Sequence, residues 1–271
     1  MPELPEVETT CRGIRPCLAH QAIRRVIIRQ SGLRYPVSSR LPGILAGQTI
    51  EQVTRRAKYI LLHCSSGTAI IHLGMSGSLR IIDQAEAPRR HDHVDICLAN
   101  GHCLRFHDPR RFGSVSWTAR DPAEHKLLRD LGPEPFSPAF NARYLYQCAR
   151  GRRVAVKSFI MDSHVVAGIG NIYASEALFY AGIHPARAAG RISLARYQLL
   201  VKGIRRVLKA AINDGGTTLR DFFQADTRPG YFKQRLAVYD RAGQGCHRCG
   251  TLIRKTRQGQ RASYYCPTCQ H

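Results

Sequence analysis

The spacing of apolar residues divides the chain into a β-rich first half and a helical second half. A short helix is expected first, from the helical spacing of Val7, Thr10, Cys11 and Ile14, and Pro16 is expected to end it. Between residues 22 and about 118, apolar runs separated by glycine and polar turns predict a sandwich or barrel-like pair of sheets. The expected strands are AIRRVIIRQ, KYILLHC, TAIIHLG, SLRIID, HVDICLA, CLRF and GSVSW.

From about residue 121 the apolar period becomes helical. Between the two halves, GPEPFSP (132–138) has the proline and glycine content of a hinge. The longest helical stretch carries one apolar stripe formed by Leu194, Tyr197, Leu200, Val201, Ile204, Val207, Leu208 and Ala211. The expected helices are DPAEHKLLRDLG, NARYLYQCAR, RVAVKSFIMD, NIYASEALFYAG and SLARYQLLVKGIRRVLKAAIND.

The net charge of the chain indicates which class of partner it binds. The 271 residues include 41 Lys+Arg against 19 Asp+Glu, a formal net charge of +22, which suits a polyanion. The arginines run through strand-like and helical segments alike, so nucleic acid is favoured over a membrane surface. No apolar run approaches the roughly 20 residues of a membrane span, and the acidic start does not resemble a signal peptide. A cytoplasmic, nucleoid-associated protein without a membrane partner is expected.

Four of the ten cysteines form two C-x-x-C pairs, CHRC (246–249) and CPTC (266–269). This pattern predicts one structural Zn²⁺ held by Cys246, Cys249, Cys266 and Cys269, with a redox pair or disulfides as the less favoured alternatives. The intervening TLIRKTRQGQRASYY predicts a hairpin that turns at Gln258-Gly259, with Arg261 just past the tip. The other six cysteines (Cys11, Cys17, Cys64, Cys97, Cys103 and Cys148) are expected to be buried, reduced thiols.

Three loops in the β-rich half are candidates for contact with nucleic acid. Met75 lies between two glycines in LGMSG (73–77). It could be an exposed apolar wedge or a core methionine, and both interpretations remain open. DPRRFG (108–113) places Arg110 and Phe112 in one turn, as stacking on bases requires. In HDHVD (91–95) a contact from His91 to phosphate is preferred over a metal site.

The helical half offers a second group of candidates. GIGN leads into a helix with Asn171 as a plausible N-cap, and free N–H groups at a helix start bind anions. An ordinary corner between two helices is the alternative. Arg152 and Lys157 belong to a basic cluster just upstream, which favours a DNA contact over a merely solvated face.

The N-terminus MPELPEVE carries an unusual nucleophile. Proline at position 2 permits removal of Met1, which leaves Pro2 as a secondary amine. Terminal amines have pKa values near 8 against about 10.4 for lysine, so more of this nitrogen is reactive at neutral pH. Its adduct with a sugar carbon is a permanently cationic iminium. Glu3 is placed to move protons, whereas Glu6 and Glu8 suit the first turn of a helix; a mere proline-led helix start is the alternative.

Together these motifs resemble bacterial formamidopyrimidine-DNA glycosylases, from PELPEVE through AKYILLH, LGMSG, HDH, DPRRFG and GIGNIYASEALF to CHRC…QRASYYCPTC. The resemblance covers nearly the whole chain. It implies an α+β multidomain protein, with an N-terminal β-sandwich and N-terminal helix (1–131), a linker (132–138), a helix–two-turn–helix domain (139–235) and a zinc-bound β-hairpin (236–271).

The resemblance also implies a monomeric enzyme that excises oxidised purines from damaged duplex DNA and then cleaves the strand by β,δ-elimination. It implies that Pro2 is the nucleophile, that Glu3 is the general acid/base, and that Lys58 and Arg261 assist. Met75, Arg110 and Phe112 match residues that fill the gap left by the flipped nucleotide. DNA-backbone contacts are implied for His91, Arg152, Lys157 and Asn171.

Three other classes are weighed against this one. Endonuclease VIII-type enzymes for oxidised pyrimidines typically begin with a PEGPE-like sequence, unlike PELPEVE here. A non-catalytic DNA-binding protein would not need Pro2, Glu3 and Lys58. A tautomerase with N-terminal proline explains neither the charge nor the zinc hairpin. The segment TLRDFFQADTRPGYF (218–232) is expected to form a lid over the flipped base.

Overall fold

The computed structural model describes residues 2–216 and 235–271, so the expected lid at 218–232 lies outside the described residues. The described chain forms two units. The first holds residues 2–129 and 214–216, and the second holds residues 130–213 and 235–271. None of the helices in these ranges is long and apolar enough to cross a membrane.

The first unit is built on eight antiparallel strands in the order β5-β7-β6-β1-β2-β3-β4-β8. Strand β1 pairs with β2 at one end and with β6 along most of its length, so it belongs to both halves of the sheet. The strands are β1 (Gln21–Ile28), β2 (Thr49–Arg56), β3 (Tyr59–Cys64), β4 (Gly67–His72), β5 (Ser78–Asp83), β6 (Asp92–Leu98), β7 (His102–His107) and β8 (Ser114–Thr118).

Both halves of the sheet contribute to one buried core. Leu79 and Phe106 from one half and Ile60 and Ile71 from the other belong to the same apolar cluster. This common core confirms the predicted β-sandwich. Strand β2 was missing from the sequence prediction, because its buried Ile50 and Val53 are three residues apart and a register shift beside Ile50 interrupts the alternation.

Helix α1 (Leu4–Leu18) packs on the same core and a five-residue helix α2 (Leu41–Leu45) precedes β2. The prediction that Pro16 ends α1 was wrong, since Pro16 lies inside the last turn. A proline there removes one helical hydrogen bond, and the burial of Ile14 and Leu18, both 0 % exposed, stabilises the turn.

The second unit contains the helices α3 (Ala142–Ala149), α4 (Val156–Met161), α5 (Asn171–Tyr180) and α6 (Leu194–Asn213). The predicted stripe of α6 is buried except at Leu194, which is 38 % exposed. The helix expected at 121–132 was wrong. Only a 3₁₀ turn (Pro122–Glu124) forms, and Leu128 is the one buried side chain between Asp121 and Asp130.

The segment predicted as a linker, 132–138, is hydrogen-bonded into the second unit. Arg205 of α6 donates to Pro135 O at 2.9 Å and to Ser137 O at 3.1 Å. Gly132 N donates to Ser163 O at 2.8 Å. The boundary between the units falls before this segment, between Arg129 and Asp130.

The C-terminal region forms the hairpin of strands β9 (Arg254–Gln258) and β10 (Arg261–Tyr265). Tyr264 of β10 and the ligand-type Cys246 and Cys266 pack with Phe179 of α5 in one cluster. The expectation of six reduced cysteines was wrong for one pair, because Cys97 and Cys103 form a disulfide between the paired strands β6 and β7. Cys17 and Cys148 are half-buried thiols rather than buried ones.

Candidate functional site

The proposed nucleophile and its neighbour are fixed at the start of α1. Glu3 is the N-cap residue, and it exchanges hydrogen bonds with Glu6 in a capping box. Glu3 N donates to Glu6 Oε2 at 2.8 Å, and the side chains of Glu3 and Glu6 are 3 % and 2 % exposed. Pro2 is also buried. Glu6 therefore fixes the backbone next to Pro2 and leaves less freedom to the residues that would react.

An ion-pair chain links α1 to the turn that carries Lys58. Glu8 contacts Arg12 at 2.8 Å and Arg55 at 3.0 Å, and Arg55 donates to Ala57 O at 2.8 Å. Burial raises the pKa of Glu8, but the hydrogen bonds from Arg12 and Arg55 outweigh burial, so the pKa is lowered overall. Ala57 has φ +52, which sets the tight turn between β2 and β3 just before Lys58.

His72 lies between this turn and the Met75 loop. Its ring is 4.8 Å from that of Tyr59, and its Nδ1 accepts a hydrogen bond of 3.0 Å from Gly74 N. Burial, followed by the positive charges of Lys58 and Arg34, lowers the pKa of His72 to about 4. A neutral His72 is required at physiological pH because Nδ1 acts as an acceptor.

The structure brings the three proposed gap-filling residues to adjacent loops. Met75 is 39 % exposed and Phe112 is 44 % exposed, so neither is a core residue. The Arg110 guanidinium lies over the Phe112 ring, 4.9 Å from its centroid. A Cβ on Gly74, at φ +68, would stand 2.4 Å from Gly113 N, so the backbones of the two loops touch. This arrangement leaves apolar and cationic groups exposed together.

Asp108 joins the two loops through its buried carboxylate. Its Oδ1 accepts from Ser76 Oγ at 2.9 Å and from Arg110 N at 3.3 Å, and its Oδ2 accepts from Gly113 N at 2.8 Å. The side chain is fully buried. Asp108 was not among the site residues predicted from sequence, where its only signal is an acid directly before the proline of DPRRFG.

The HDH motif contacts the same region. His91 has φ +76 and lies about 6 Å from the rings of His93 and His107. Burial and then nearby charges, Arg90 first, lower the pKa of His91, so it offers a neutral N–H donor. His93 Nε2 bonds Asp108 O at 2.7 Å. The clusters of possible metal ligands in the described ranges include neither His91 nor His93.

In the second unit, Arg152 is exposed between α3 and α4. Asn171 was expected to be the N-cap of α5, but Gly170 occupies that position and Asn171 is the first helical residue. Its Nδ2 donates to Tyr239 OH at 3.5 Å, while its Oδ1 is buried without a hydrogen-bond partner in the described ranges.

Glu176 of α5 organises the chain that leads into the zinc hairpin. Its buried carboxylate accepts hydrogen bonds of 2.8–2.9 Å from the backbone N–H groups of Ala237, Val238 and Tyr239. Burial raises the pKa of Glu176, and the three N–H donors oppose this effect. Glu176 was also absent from the predicted site residues, although one carboxylate in the apolar helix NIYASEALFY is a signal of a buried acceptor.

Lys157 and Arg261 meet where α4 faces the hairpin. The Lys157 side chain is 2 % exposed, and its Nζ donates to Ala262 O and Ser263 Oγ, both at 2.8 Å. Arg261 is exposed. Both residues line a cavity of about 260 Å³, so Lys157 supports the hairpin in addition to its proposed contact with DNA.

The four cysteines of the two C-x-x-C pairs form a metal site. Their Sγ atoms all lie within 4.8 Å of one another, with 3.9 Å between Cys246 and Cys269 and 3.5 Å between Cys249 and Cys266. Zn–S bonds of about 2.3 Å place tetrahedral thiolates about 3.8 Å apart. The donor set therefore fits one structural zinc ion, which fixes the base of the hairpin that carries Arg261.

The fold and the site define a zinc-binding protein with a β-sandwich unit, a helical unit and a Cys₄ hairpin. Three family models match: "Formamidopyrimidine-DNA glycosylase N-terminal domain" over residues 1–115, "Formamidopyrimidine-DNA glycosylase H2TH domain" over 131–223, and "Zinc finger found in FPG and IleRS" over 243–271. The formamidopyrimidine-DNA glycosylase of Methylococcus capsulatus is 60 % identical over the full length of both chains.

Solved structures agree with this relationship. The Lactococcus lactis Fpg in complex with DNA containing an abasic site is 30 % identical with a TM-score of 0.92, and the alignment covers 99 % of both chains. The same protein with DNA containing Fapy-dG has a TM-score of 0.91 at 30 % identity, covering 99 % of this chain and 100 % of that one. The chain belongs to the formamidopyrimidine-DNA glycosylase family of DNA-repair glycosylases.

Proposed function

We propose that this enzyme removes oxidised purines, 8-oxoguanine and formamidopyrimidines, from duplex DNA and then cleaves the strand at the resulting site. The observation that carries the proposal is the fixed N-terminus, where a capping box with Glu6 holds Glu3 next to Pro2. The Lactococcus lactis relative was solved with Fapy-dG DNA, which supports formamidopyrimidines as substrates, and with abasic-site DNA, which supports binding of the site that is cleaved.

The chemistry begins with the Pro2 nitrogen, freed by removal of Met1. Its lone pair forms a bond to C1′ of the damaged nucleotide while the bond from C1′ to the base breaks and the base leaves with a proton. Opening of the C1′–O4′ bond gives the iminium, and Glu3 supplies the proton that O4′ takes up. Because the nitrogen is secondary, the iminium stays cationic and withdraws electrons from C2′.

Strand cleavage follows from that electron sink. Loss of a C2′ proton expels the 3′ phosphate by β-elimination, and a second elimination expels the 5′ phosphate. Water then hydrolyses the iminium and restores the amine. Lys58 assists at the damaged nucleotide and its phosphates, and Arg261 holds phosphate during elimination, supported by the zinc hairpin.

Binding of the damaged duplex is assigned to the exposed groups of both units. Met75, Arg110 and Phe112 fill the gap left by the extruded nucleotide, and their exposure supports this role. The DNA backbone is contacted by His91, Arg152, Lys157 and Asn171. We further propose that the protein acts as a monomer at the nucleoid.

Mass analysis of the N-terminus followed by borohydride trapping on an 8-oxoguanine:C duplex tests the proposal. Met1 should be absent, and protein should become covalently joined to DNA at residue 2. Pro2→Gly makes the amine primary and should trap and cut less. If Pro2→Gly excised and trapped as well as wild type through a lysine such as Lys58, the assignment of Pro2 would be wrong. Faster excision from a duplex with an oxidised pyrimidine would favour an endonuclease VIII-type specificity.

A further inference from the structure

One face of the zinc hairpin presents more than Arg261. Gln258 and Arg261 are directly paired residues of β9 and β10, and Ser263 follows Arg261 by two positions. Paired residues and i, i+2 residues project from the same side of a β-ribbon. Gln258, Arg261 and Ser263 therefore share the face that meets α4 and lines the cavity of about 260 Å³.

The hydrogen bonds on this face have a defined direction. The Lys157 ammonium has no acceptor, so the Ser263 oxygen accepts from Nζ at 2.8 Å. The Ser263 hydroxyl then donates to Gln258 Oε1 at 2.9 Å. This chain fixes the orientation of the Gln258 amide and directs its NH₂ group away from Ser263.

The NH₂ group of Gln258 has no hydrogen-bond acceptor in the part of the chain that the structure describes. Its Nε2 atom is buried and has no hydrogen-bond partner among residues 2–216 and 235–271. A buried donor without an acceptor is destabilising, and Gln258 lines the cavity, so an acceptor that enters the cavity and displaces the groups covering Nε2 would satisfy this donor. Arg261 and Lys157 supply positive charge there, while Asp162, also at the cavity, uses Oδ1 to accept from His164 N at 3.0 Å.

We propose that Gln258 is a second phosphate-binding residue, whose Nε2 donates to the same backbone phosphate that Arg261 binds. The ligand is a phosphodiester of duplex DNA, with oxygens that accept from an amide and a guanidinium together. This inference rests on the proposed function of Arg261. Gln258 makes the site directional, because the exposed Arg261 side chain alone supplies charge without a fixed position.

Two variants test the residue, with affinity measured for a duplex that contains a tetrahydrofuran abasic-site analogue. Gln258→Leu removes the donor and should weaken binding about three- to tenfold without a change in salt slope, since a neutral group releases no counterion. Gln258→Glu keeps an acceptor for Ser263 but faces the phosphate with a carboxylate, so it should bind more weakly still. Gln244→Glu is the control with the same charge change, at an exposed position outside the cavity lining.

Methylphosphonate substitution of single phosphates completes the test. At one position the loss caused by methylphosphonate and the loss caused by Gln258→Leu should not add, because both remove the same hydrogen bond. Wild-type affinity for Gln258→Leu at full zinc content, or additive losses at every position, would overturn the inference. If either outcome occurred while the wild-type protein was still trapped on DNA by borohydride, only the role of Gln258 would be wrong and the proposed function would stand. If the wild-type protein were not trapped, the proposed function itself would be contradicted.

Discussion

Asp108 accepts a 2.8 Å hydrogen bond from Gly113 N, directly after Phe112, while the same carboxylate accepts from Ser76, directly after Met75. One buried charge thus sets the spacing between the two exposed apolar residues that are proposed to fill the DNA gap. The shared acceptor holds the two loops together, although Met75 and Phe112 at their tips are exposed.

We expect Asp108→Asn to lower excision of an intact 8-oxoguanine about tenfold or more while cleavage of a preformed abasic site changes little. The amide cannot accept from all three donors at once, so the loops lose their register, at a cost of about 1–3 kcal/mol in stability. Excision and abasic-site cleavage would be compared at temperatures well below unfolding. Asp121→Asn, an exposed cap of a 3₁₀ turn, is the matched control; equal losses on both substrates would indicate a purely structural role.

Truncation of the wedge residues should separate activity from stability. Met75→Ala and Phe112→Ala should each change the free energy of unfolding by less than about 1 kcal/mol, because exposed side chains contribute little to the core. Excision should nevertheless fall, since the gap is no longer filled. Leu79→Ala, at a position 1 % exposed, should instead cost about 2–5 kcal/mol. Strong destabilisation by Met75→Ala with normal excision would reassign Met75 to the core.

Loss of zinc should affect DNA binding more than the sandwich. Cys249→Ser or chelation removes one or all of the thiolate–zinc bonds that hold the base of the hairpin, so Arg261 and Gln258 lose their positions. Zinc content and duplex affinity would be measured together, with hydrogen exchange of β3 and β4 as a report on the first unit. Cys148→Ser, a half-buried thiol of α3, serves as control. Full affinity without zinc would refute this dependence.

Glu3→Gln should separate the two chemical steps. The amide keeps a cap acceptor for Glu6 N but cannot shuttle protons, so excision of an intact damaged base should fall by about 10²-fold or more. Duplex binding should persist, and a preformed abasic site should still be cut through the iminium. Comparable loss on both substrates would place Glu3 in elimination as well.

His72 predicts a pH dependence of stability. Its pKa of about 4 in the folded state lies below the value of about 6.5 expected after unfolding, so the unfolded state binds the proton first as pH falls. The contribution of neutral His72 to the free energy of unfolding is fully present above about pH 6.5. It is lost as the pH falls from about 6.5 to about 4, by up to about 3 kcal/mol. Urea unfolding at pH 7, 5.5 and 4.5 checks this. His72→Asn, whose Oδ1 can replace Nδ1 as acceptor, should flatten that part of the curve.

Elements with a regular period were predictable from sequence, whereas those held by tertiary contacts were not. The stripe of α6 and seven of the strands have the expected spacing. Strand β2 does not, because a register shift breaks its alternation. DPAEHKLLRDLG has helical spacing, but Leu128 is its only buried side chain, so little stabilises a helix there.

The site residues also fall into those that the sequence predicts and those that it does not. The zinc cysteines are predictable because chain spacing alone brings each pair to one ion. The exposed state of Met75 was one of two open alternatives, and burial decided it. Asp108 and Glu176 act through hydrogen bonds to residues distant in the chain, and Gln258 accepts from Ser263, which Lys157 of the distant α4 orients; no local pattern encodes such partners.

Strand β1 has a consequence for how the first unit folds. Ile28 at its end pairs with Val94 of β6, and these residues are 66 positions apart in the chain. Closing so long a loop is entropically costly and slow, and until it closes β1 has only its short ladder to β2. During synthesis, the sandwich therefore cannot complete its hydrogen bonding until β6 has left the ribosome, and the edge of β1 that pairs with β6 remains open to chaperones for that interval.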